Sequence, residues 1–324
     1  SQTNSVTATL VINEMGNASG IANVSGKLYI ADRFDGFKIF TGGGTPDLFL
    51  ESHSSPGFFT LANLSATGDK VYAASSPSYF SNPGLVRFSV NEVLTPTLDG
   101  AYTPSGYLEN YVVEDNNAYI AAYDAGLQIA DFSVLPPVKS GELVTGVSYV
   151  GDVALQGNYA YLADETNGLK IIDITNPALP SEVSSLNLGR TESLAVYDDY
   201  VYVITQKMYP AVGSILNVVD ISNPISPTAV ISMNHAMELR TPTVINDRLY
   251  VHKYAVGDQN SLLGYDLSEP AAPVLLFEID LPGWFEQIEV AGPYVYAVVS
   301  NAGVIILGPA IPLDKHVYLP MILR

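Results

Sequence analysis

Seven tyrosines recur along the chain at nearly even spacing, and each lies in the middle of a short run of strand-forming residues. The intervals between them are 43, 47, 42, 41, 48 and 46 residues. A period of about 40 to 50 residues with β-rich repeats is typical of a propeller. The spacing therefore predicts an all-β fold with one blade for each tyrosine. The seven are Tyr29, Tyr72, Tyr119, Tyr161, Tyr202, Tyr250 and Tyr296.

The repeat around Tyr161 shows the strand pattern most clearly. Runs at 152–155, 159–164, 168–175 and 181–186 are separated by turn-forming Gly, Asn and Pro residues. Helical periodicity is not evident over any window of a dozen residues. We therefore expect a seven-bladed β-propeller of four-stranded antiparallel blades, with almost no helix, as a single domain over residues 1–324.

The two ends of the chain indicate how such a propeller closes. The last repeat lacks a fourth strand, whereas residues 8–13 precede the first repeat and have the pattern of one. Because an unpaired blade edge is a liability, we expect residues 8–13 to complete the last blade beside residues 304–307. The competitor is the C-terminal tail, residues 311–324, in which residues 317–323 form another strand-like run.

The composition argues against several classes of function. With 33 acidic and 14 basic residues the net charge is -19, so the protein repels nucleic acid and anionic lipid. No apolar run approaches the ~18 residues of a membrane-spanning helix. Cysteine is absent, which excludes disulfides and thiolate sites. We expect neither nucleic-acid binding nor a transmembrane segment, and the polar start at residues 1–5 looks like a processed terminus.

A recognisable motif runs from Tyr161 to Pro180. It reads Tyr-Leu-Ala-Asp at 161–164, then Gly-Leu-Lys-Ile-Ile-Asp-Ile-Thr-Asn-Pro at 168–177, with a second proline at 180. Residues 218–227 repeat its second half. These residues resemble the LVIVD-repeat family of bacterial and archaeal propeller proteins. The resemblance implies a secreted or cell-surface bacterial propeller, and it brings no set of catalytic residues with it.

The loops between blades and those between second and third strands lie on one face of a propeller, and they contain the most individual residues. Binding residues favour such loops, and Arg with Tyr and Trp is typical of binding hot spots. The sequence therefore predicts a non-enzymatic face that binds a protein, peptide or glycan, an anionic sugar among them. Its candidate residues are Arg33, Arg190, Lys207, Tyr209, His235, Arg240, Tyr254 and Trp284, with Tyr123, Tyr149 and Lys253 in the same set.

An enzyme is the alternative, namely a hydrolase or lyase that acts on a polysaccharide. Glycoside hydrolysis requires two carboxyl groups about 5 to 10 Å apart. Glu192, Glu238 and Glu286, in three predicted inter-blade loops, are the best candidates. A purely structural envelope component is a third reading. We favour binding because no serine-nucleophile elbow and no metal-ligand histidine spacing is present.

The remaining repeated residues have a structural and a functional reading. We expect the seven tyrosines to pack between blades rather than to stack on sugars. Four aspartates end the third strands, where a short carboxylate accepts a hydrogen bond from the backbone two residues on; they are Asp131, Asp173, Asp220 and Asp266. We expect no cofactor. Calcium is the alternative, because Asp32, Asp164 and Glu165 supply hard oxygen ligands.

Overall fold

The computed structural model describes residues 9–12, 17–45, 48–54, 60–76, 84–90, 95–144, 149–208, 211–255 and 259–309. These residues form 28 strands in seven four-stranded antiparallel sheets. Each sheet is one blade, so the prediction of a seven-bladed β-propeller is confirmed. The described residues include no helix, and hence none that is long and apolar enough to cross a membrane.

The chain divides into two compact units, and the expectation of a single domain stays a prediction. Unit 1 comprises Ser1–Ala101 with Ile279–Arg324, and unit 2 comprises Tyr102–Glu278. The strands of the first two blades are β2 (Ala18–Val24), β3 (Lys27–Asp32), β4 (Gly36–Thr41), β5 (Phe49–Ser54), β6 (Thr60–Thr67), β7 (Lys70–Ser76), β8 (Gly84–Ser89) and β9 (Thr97–Tyr102).

Blades three to six follow with the same order of strands. Blades three and four contain β10 (Asn110–Glu114), β11 (Asn117–Ala121), β12 (Leu127–Asp131), β13 (Val138–Leu143), β14 (Val150–Gln156), β15 (Tyr159–Asp164), β16 (Gly168–Asp173) and β17 (Ser181–Leu186). Blades five and six contain β18 (Thr191–Tyr197), β19 (Tyr200–Gln206), β20 (Ser214–Asp220), β21 (Thr228–Asn234), β22 (Glu238–Ile245), β23 (Arg248–Ala255), β24 (Gln259–Asp266) and β25 (Val274–Leu281).

The seventh blade takes its fourth strand from the start of the chain. Its own strands are β26 (Trp284–Ala291), β27 (Tyr294–Ser300) and β28 (Gly303–Pro309), and β1 (Thr9–Ile12) pairs antiparallel with β28. Thr9 lies opposite Ile306 and Ile12 opposite Val304. Closure by the N-terminal segment is therefore confirmed, while the C-terminal tail at 311–324 lies outside the described residues.

All seven repeat tyrosines are at most 3% exposed. In unit 2, Tyr202 belongs to a hydrophobic cluster with Leu239, Val251 and Leu263 of the next blade. In unit 1, Tyr296 of the seventh blade belongs to a cluster that includes residues of the first. Tyr29, Tyr119 and Tyr161 likewise belong to clusters that span two blades, so the prediction of packing between blades is confirmed for these five tyrosines, and Tyr72 and Tyr250 are also buried.

Two of these tyrosines also join blades through their hydroxyl groups. Tyr202 Oη donates to the carbonyl oxygen of Pro270 at 2.9 Å, in the loop between β24 and β25. Tyr296 Oη donates to the carbonyl oxygen of Thr45 at 2.7 Å, in the loop after β4. Each hydroxyl therefore fixes a connecting loop of the neighbouring blade.

The first strand of each blade lies at an edge of its sheet, so one row of its backbone N–H groups has no partner strand. In unit 2, Asp152 serves part of this row. Its Oδ2 accepts from the N–H of Leu194 in the next blade at 2.9 Å, and its Oδ1 accepts from the N–H of Val153 at 2.8 Å and from Asn110 Nδ2 of the preceding blade at 2.5 Å. This one carboxylate joins three consecutive first strands.

In unit 1 the same role belongs to Gln287 of β26. Its Oε1 accepts from the N–H of Ile21 at 3.0 Å and from the N–H of Leu64 at 2.9 Å, and its Nε2 donates to the carbonyl oxygen of Leu64 at 2.5 Å. A neutral amide thus connects three first strands where unit 2 uses a carboxylate.

Most first strands contain an extra residue near their start. Register shifts place one unmatched residue between Ala18 and Gly20, between Val150 and Asp152, between Thr191 and Ser193, and between Phe285 and Gln287. Such β-bulges redirect a side chain without ending the strand. The bulged residues are Ser19, Gly151, Glu192 and Glu286.

The aspartates that end the third strands form the predicted turns. The Oδ1 atom of each aspartate accepts a hydrogen bond from the backbone N–H two residues later in the chain. The distances are 2.7 Å for Asp131, 2.8 Å for Asp173, 2.9 Å for Asp220 and 2.9 Å for Asp266. Hydrogen bonds from Thr175 hold the pKa of Asp173 below its ordinary value, and those from Ser222 do the same for Asp220. The structural reading of these four residues is confirmed.

Replacing Tyr202 by Phe should lower the free energy of unfolding by about 1 kcal/mol, because the bond to Pro270 is lost while the buried ring remains. Tyr161→Phe is the matched control, since the hydroxyl of Tyr161 forms no hydrogen bond with any described residue. Urea unfolding of both variants measures the difference. Equal losses in the two variants would contradict this assignment.

Burial raises the pKa of Asp152 from 3.8 to about 6, against the lowering effect of its three hydrogen-bond donors. The folded chain therefore binds more protons than the unfolded chain between these values. The contribution of Asp152 to the free energy of unfolding should fall by about 3 kcal/mol as pH rises from about 4 to about 6, and then level off.

Asp152→Asn removes this titration, so the measurement is the difference in unfolding free energy between wild type and variant as a function of pH. Wild type should lose about 3 kcal/mol relative to the variant as pH rises from about 4 to about 6, and the difference should then level off. A difference that does not change with pH over this range would show that the carboxyl group titrates at its ordinary value.

Candidate functional site

Each arginine proposed for binding is paired with a glutamate proposed for catalysis. Arg33 Nη2 lies 3.4 Å from Glu286 Oε1, and Arg190 Nη2 lies 3.2 Å from Glu192 Oε1. Arg240 Nη2 lies 3.1 Å from Glu238 Oε2. The two sets of candidates therefore combine into three ion pairs, and the positive charge of these arginines is neutralised locally.

The positions of several candidates differ from those predicted. Glu192, Glu238 and Glu286 lie at or near the starts of the first strands β18, β22 and β26, so their placement in inter-blade loops was wrong. Trp284 is likewise the first residue of β26, where it pairs with Ser300. The first strands begin earlier than expected because a bulge lets pairing continue past an extra residue.

Two tyrosines of unit 2 form a stacked pair at the surface. The ring centroids of Tyr123 and Tyr149 lie 4.6 Å apart with an interplanar angle of 24°. Tyr149 is 39% exposed and Tyr123 is half-buried. Tyr123 follows β11 and Tyr149 precedes β14, and the N–H of Val150 donates to the carbonyl oxygen of Tyr123 at 3.0 Å. This bond between two blades holds the rings side by side.

The backbone of Tyr123 adopts a left-handed conformation with a φ of 46°. This region is unfavourable for a large aromatic residue. The turn is closed by bonds from the N–H of Ala125 to the carbonyl oxygen of Ala122 at 2.9 Å and from the N–H of Gly126 to that of Tyr123 at 3.3 Å. Strain of this kind persists only where the surroundings hold it, and it is common at ligand sites.

Charged side chains flank the stacked pair. The N–H of Glu165 donates to the carbonyl oxygen of Tyr149 at 2.9 Å, so the backbone of Glu165 lies beside that of Tyr149. Arg190 Nη2 lies 3.6 Å from Glu165 Oε2 as well as 3.2 Å from Glu192. One guanidinium therefore bridges glutamates of two consecutive blades.

A further glutamate, Glu109, lies beside the end of β11, because its N–H donates to the carbonyl oxygen of Ala121 at 3.0 Å, two residues before Tyr123. Desolvation and then the charge of Glu165 raise the pKa of Glu109. Desolvation also raises the pKa of Tyr123, and Glu165 and Glu109 raise it further while Arg190 lowers it. We call these six residues the tyrosine–glutamate cluster: Glu109, Tyr123, Tyr149, Glu165, Arg190 and Glu192.

Glu109 was not among the residues predicted from the sequence, although a signal was present. Glu109, Glu192 and Glu286 each stand two residues before an inward apolar residue of a first strand, namely Tyr111, Leu194 and Ile288. Aligning the first strands would have found Glu109 by this spacing.

Glu192 is fixed by a chain of hydrogen bonds that reaches the sixth blade. Gln206 Nε2 donates to Glu192 Oε2 at 3.0 Å and to the carbonyl oxygen of Leu239 at 3.1 Å. Ser214 Oγ donates to Gln206 Oε1 at 2.8 Å and accepts from the N–H of Leu239 at 2.8 Å. The carboxylate is thus held from both sides, by Arg190 and by Gln206.

The other candidates of unit 2 form a second group. Lys207 Nζ donates to the carbonyl oxygen of His235 at 3.1 Å, and His235 Nε2 lies 3.4 Å from the hydroxyl of Tyr265. Lys253 forms an ion pair with Glu278. Burial lowers the pKa of His235, and the charges of Lys207 and Lys253 lower it further. Tyr254 lies in β23, opposite Glu238, and Tyr209 lies outside the described residues.

The acidic residues considered for calcium take part in other interactions. Asp32 Oδ2 accepts from Lys38 Nζ at 2.9 Å. Asp164 Oδ1 accepts the N–H groups of Thr166 and Asn167, each at 2.9 Å, and its Oδ2 lies 3.6 Å from Lys170 Nζ. Glu165 pairs with Arg190. Within the described ranges, no three His, Cys, Asp or Glu side chains are grouped closely enough to hold a metal ion.

Comparison with known structures shows the fold. A computationally designed protein, Ika8, is 10% identical, with 92% of this chain and 98% of that chain covered and a TM-score of 0.63. The β-propeller domain of Cps50 (Swd1) from Myceliophteria thermophila is 12% identical, with 90% and 95% covered and a TM-score of 0.65. BamB from Moraxella catarrhalis is 15% identical, with 89% and 82% covered and a TM-score of 0.56.

Comparison of sequences identifies the repeat. No curated protein matches the chain. The LVIVD repeat model matches residues 148–187 and 188–235, which cover the fourth and fifth blades and include Glu165, Arg190 and Glu192. The resemblance inferred from Tyr161 to Pro180 and from residues 218–227 is confirmed in these segments. The chain is a seven-bladed β-propeller that carries LVIVD repeats, consistent with the LVIVD propeller family.

Proposed function

We propose that this propeller is a non-enzymatic binding protein, secreted or at the surface of a bacterial cell, that recognises a protein, peptide or glycan at the tyrosine–glutamate cluster. The observation that carries the proposal is the surface stack of Tyr123 on Tyr149 between charged side chains. Tyrosines offer a large contact area at low entropic cost, and such exposed aromatics are typical of binding hot spots. The location outside the cell rests on the resemblance to LVIVD-repeat propellers.

The cluster has the rigidity that a preformed site requires. Tyr123 and Tyr149 follow or precede strands of two blades that are joined by a backbone bond, and Glu192 is held by Arg190 and Gln206. Residues positioned in this way lose little freedom on binding, which favours affinity. The remaining candidates, Arg33, Lys207, Tyr209, His235, Arg240, Tyr254 and Trp284, stay predictions for a wider face.

The enzymatic alternative gains less support from the contacts. Its candidates Glu192, Glu238 and Glu286 each form an ion pair with a different arginine. Each of these carboxylates therefore already has a charged partner, although desolvation raises the pKa of Glu286 against the lowering effect of Arg33. A hydrolase or lyase would need two carboxyl groups that are free to face one substrate.

Ligands are first found by screening glycan and peptide arrays. Tyr149→Ala should then weaken the affinity for any such ligand at least tenfold, because it removes one ring of the stack and uncovers the other. Affinities are measured by calorimetry or biolayer interferometry. Leu179→Ala is the matched control, since Leu179 is 75% exposed in the same unit but lies at the opposite end of its blade from Glu165. Binding that survives Tyr149→Ala, or that is lost equally in the control, would refute the assignment to this cluster.

A further inference from the structure

The charges around the stacked tyrosines indicate what kind of ligand fits them. We propose that the ligand of the tyrosine–glutamate cluster is cationic: a peptide segment that presents a lysine or arginine side chain to Tyr123 and Tyr149. This inference rests on the proposed function, because it specifies the ligand of the same site. It also argues against an anionic sugar, which the sequence had suggested beside a peptide.

The cluster carries more negative than positive charge. It contains three carboxylates, those of Glu109, Glu165 and Glu192, and one guanidinium, that of Arg190. Arg190 is engaged by two of them, at 3.6 and 3.2 Å. The carboxylate of Glu109 forms no hydrogen bond or ion pair with any residue that the structure describes. A ligand therefore meets uncompensated negative charge.

The tyrosine pair also favours a cation, independently of the glutamates. A ring face carries the negative end of its quadrupole and attracts ammonium and guanidinium groups. Stacking covers one face of each ring, so the other faces of Tyr123 and Tyr149 are free of the partner ring. At an exposed site a cation over such a face gains about two- to fivefold in affinity.

The electrostatic field of the whole protein also favours a cationic ligand. The net charge of -19 draws cations towards the surface and repels anions. The arginines that would oppose this field, Arg33, Arg190 and Arg240, are each neutralised by a glutamate. An anionic ligand would have to displace these glutamates, whereas a cationic ligand adds a partner to Glu109 and Glu165.

The test uses three labelled heptapeptides of equal length, Gly-Lys-Gly-Lys-Gly-Lys-Gly and its counterparts with Glu or Ser in place of Lys, with binding followed by fluorescence anisotropy. The lysine peptide should bind the full chain and the other two should not. The double variant Glu109→Gln with Glu165→Gln should weaken the lysine peptide about tenfold, since each carboxylate contributes a few-fold at surface distances.

Matched controls separate the cluster from the general field. The double variant Glu114→Gln with Glu269→Gln removes the same charge from two exposed positions. Glu114 lies in the third blade and Glu269 in the sixth, each at the end of its blade away from the loop between second and third strands. This variant should change affinity by less than about twofold. Arg190→Gln frees the carboxylates of Glu165 and Glu192 and should raise the affinity for the lysine peptide. Loss of binding in that variant is the result expected for an anionic ligand.

The inference is overturned if no peptide binds, if the glutamate or serine peptide binds as well as the lysine peptide, if both double variants weaken binding equally, or if Arg190→Gln abolishes binding. These failures differ from failure of the proposed function. If a glycan binds in a way that depends on Tyr149 but not on the glutamates, the site is correct and the cationic ligand is wrong. If ligands bind equally well without Tyr149, the site itself is wrong.

Discussion

The free edge of each first strand is the constraint on which this fold depends. A four-stranded sheet leaves one row of N–H groups unpaired along that edge, and buried donors without acceptors are costly. The chain meets this need with side chains from neighbouring first strands: Asp152 serves Val153 and Leu194, and Gln287 serves Ile21 and Leu64. The same hydrogen bonds join consecutive blades, so the side chains that supply acceptors for the edge N–H groups also hold one blade against the next. The buried tyrosines add apolar area behind these strands, and Tyr202 and Tyr296 also donate hydrogen bonds to a loop of the neighbouring blade.

The candidate site is a product of the same strands. A bulge near the start of β18 adds Glu192 to the strand without ending it, and the equivalent bulge in β26 adds Glu286. Each of these glutamates then pairs with an arginine, Arg190 or Arg33. Glu109, which stands at the matching place before β10, has no such partner among the described residues. The site is therefore defined by what the repeat leaves uncompensated: one free carboxylate, a bridged pair and two stacked rings held by a strained turn.

The sequence predicts the parts of this molecule that repeat, because repetition makes them visible without coordinates. The tyrosine period gives the number of blades, residues 8–13 give the closing strand, and the aspartates before Ser133, Thr175, Ser222 and Ser268 give the turns. For the model repeat, β15 and β17 begin and end at the predicted residues. The site is less predictable because it depends on register and on contacts across blades. A bulge changes where a side chain points, and no spacing pairs Arg33 with Glu286 or Tyr123 with Tyr149.

The most direct test of the edge constraint is hydrogen exchange of the Leu194 amide, followed by NMR in wild type and in Asp152→Ala. If Asp152 is its acceptor, the amide should exchange about tenfold faster in the variant, whereas the amide of Val203, in the interior strand β19, should keep its protection apart from any change shared by the whole chain. An unchanged rate at Leu194, or equal acceleration at Val203, would mean that the edge is satisfied in another way and that the bonds of Asp152 do not hold the blades together.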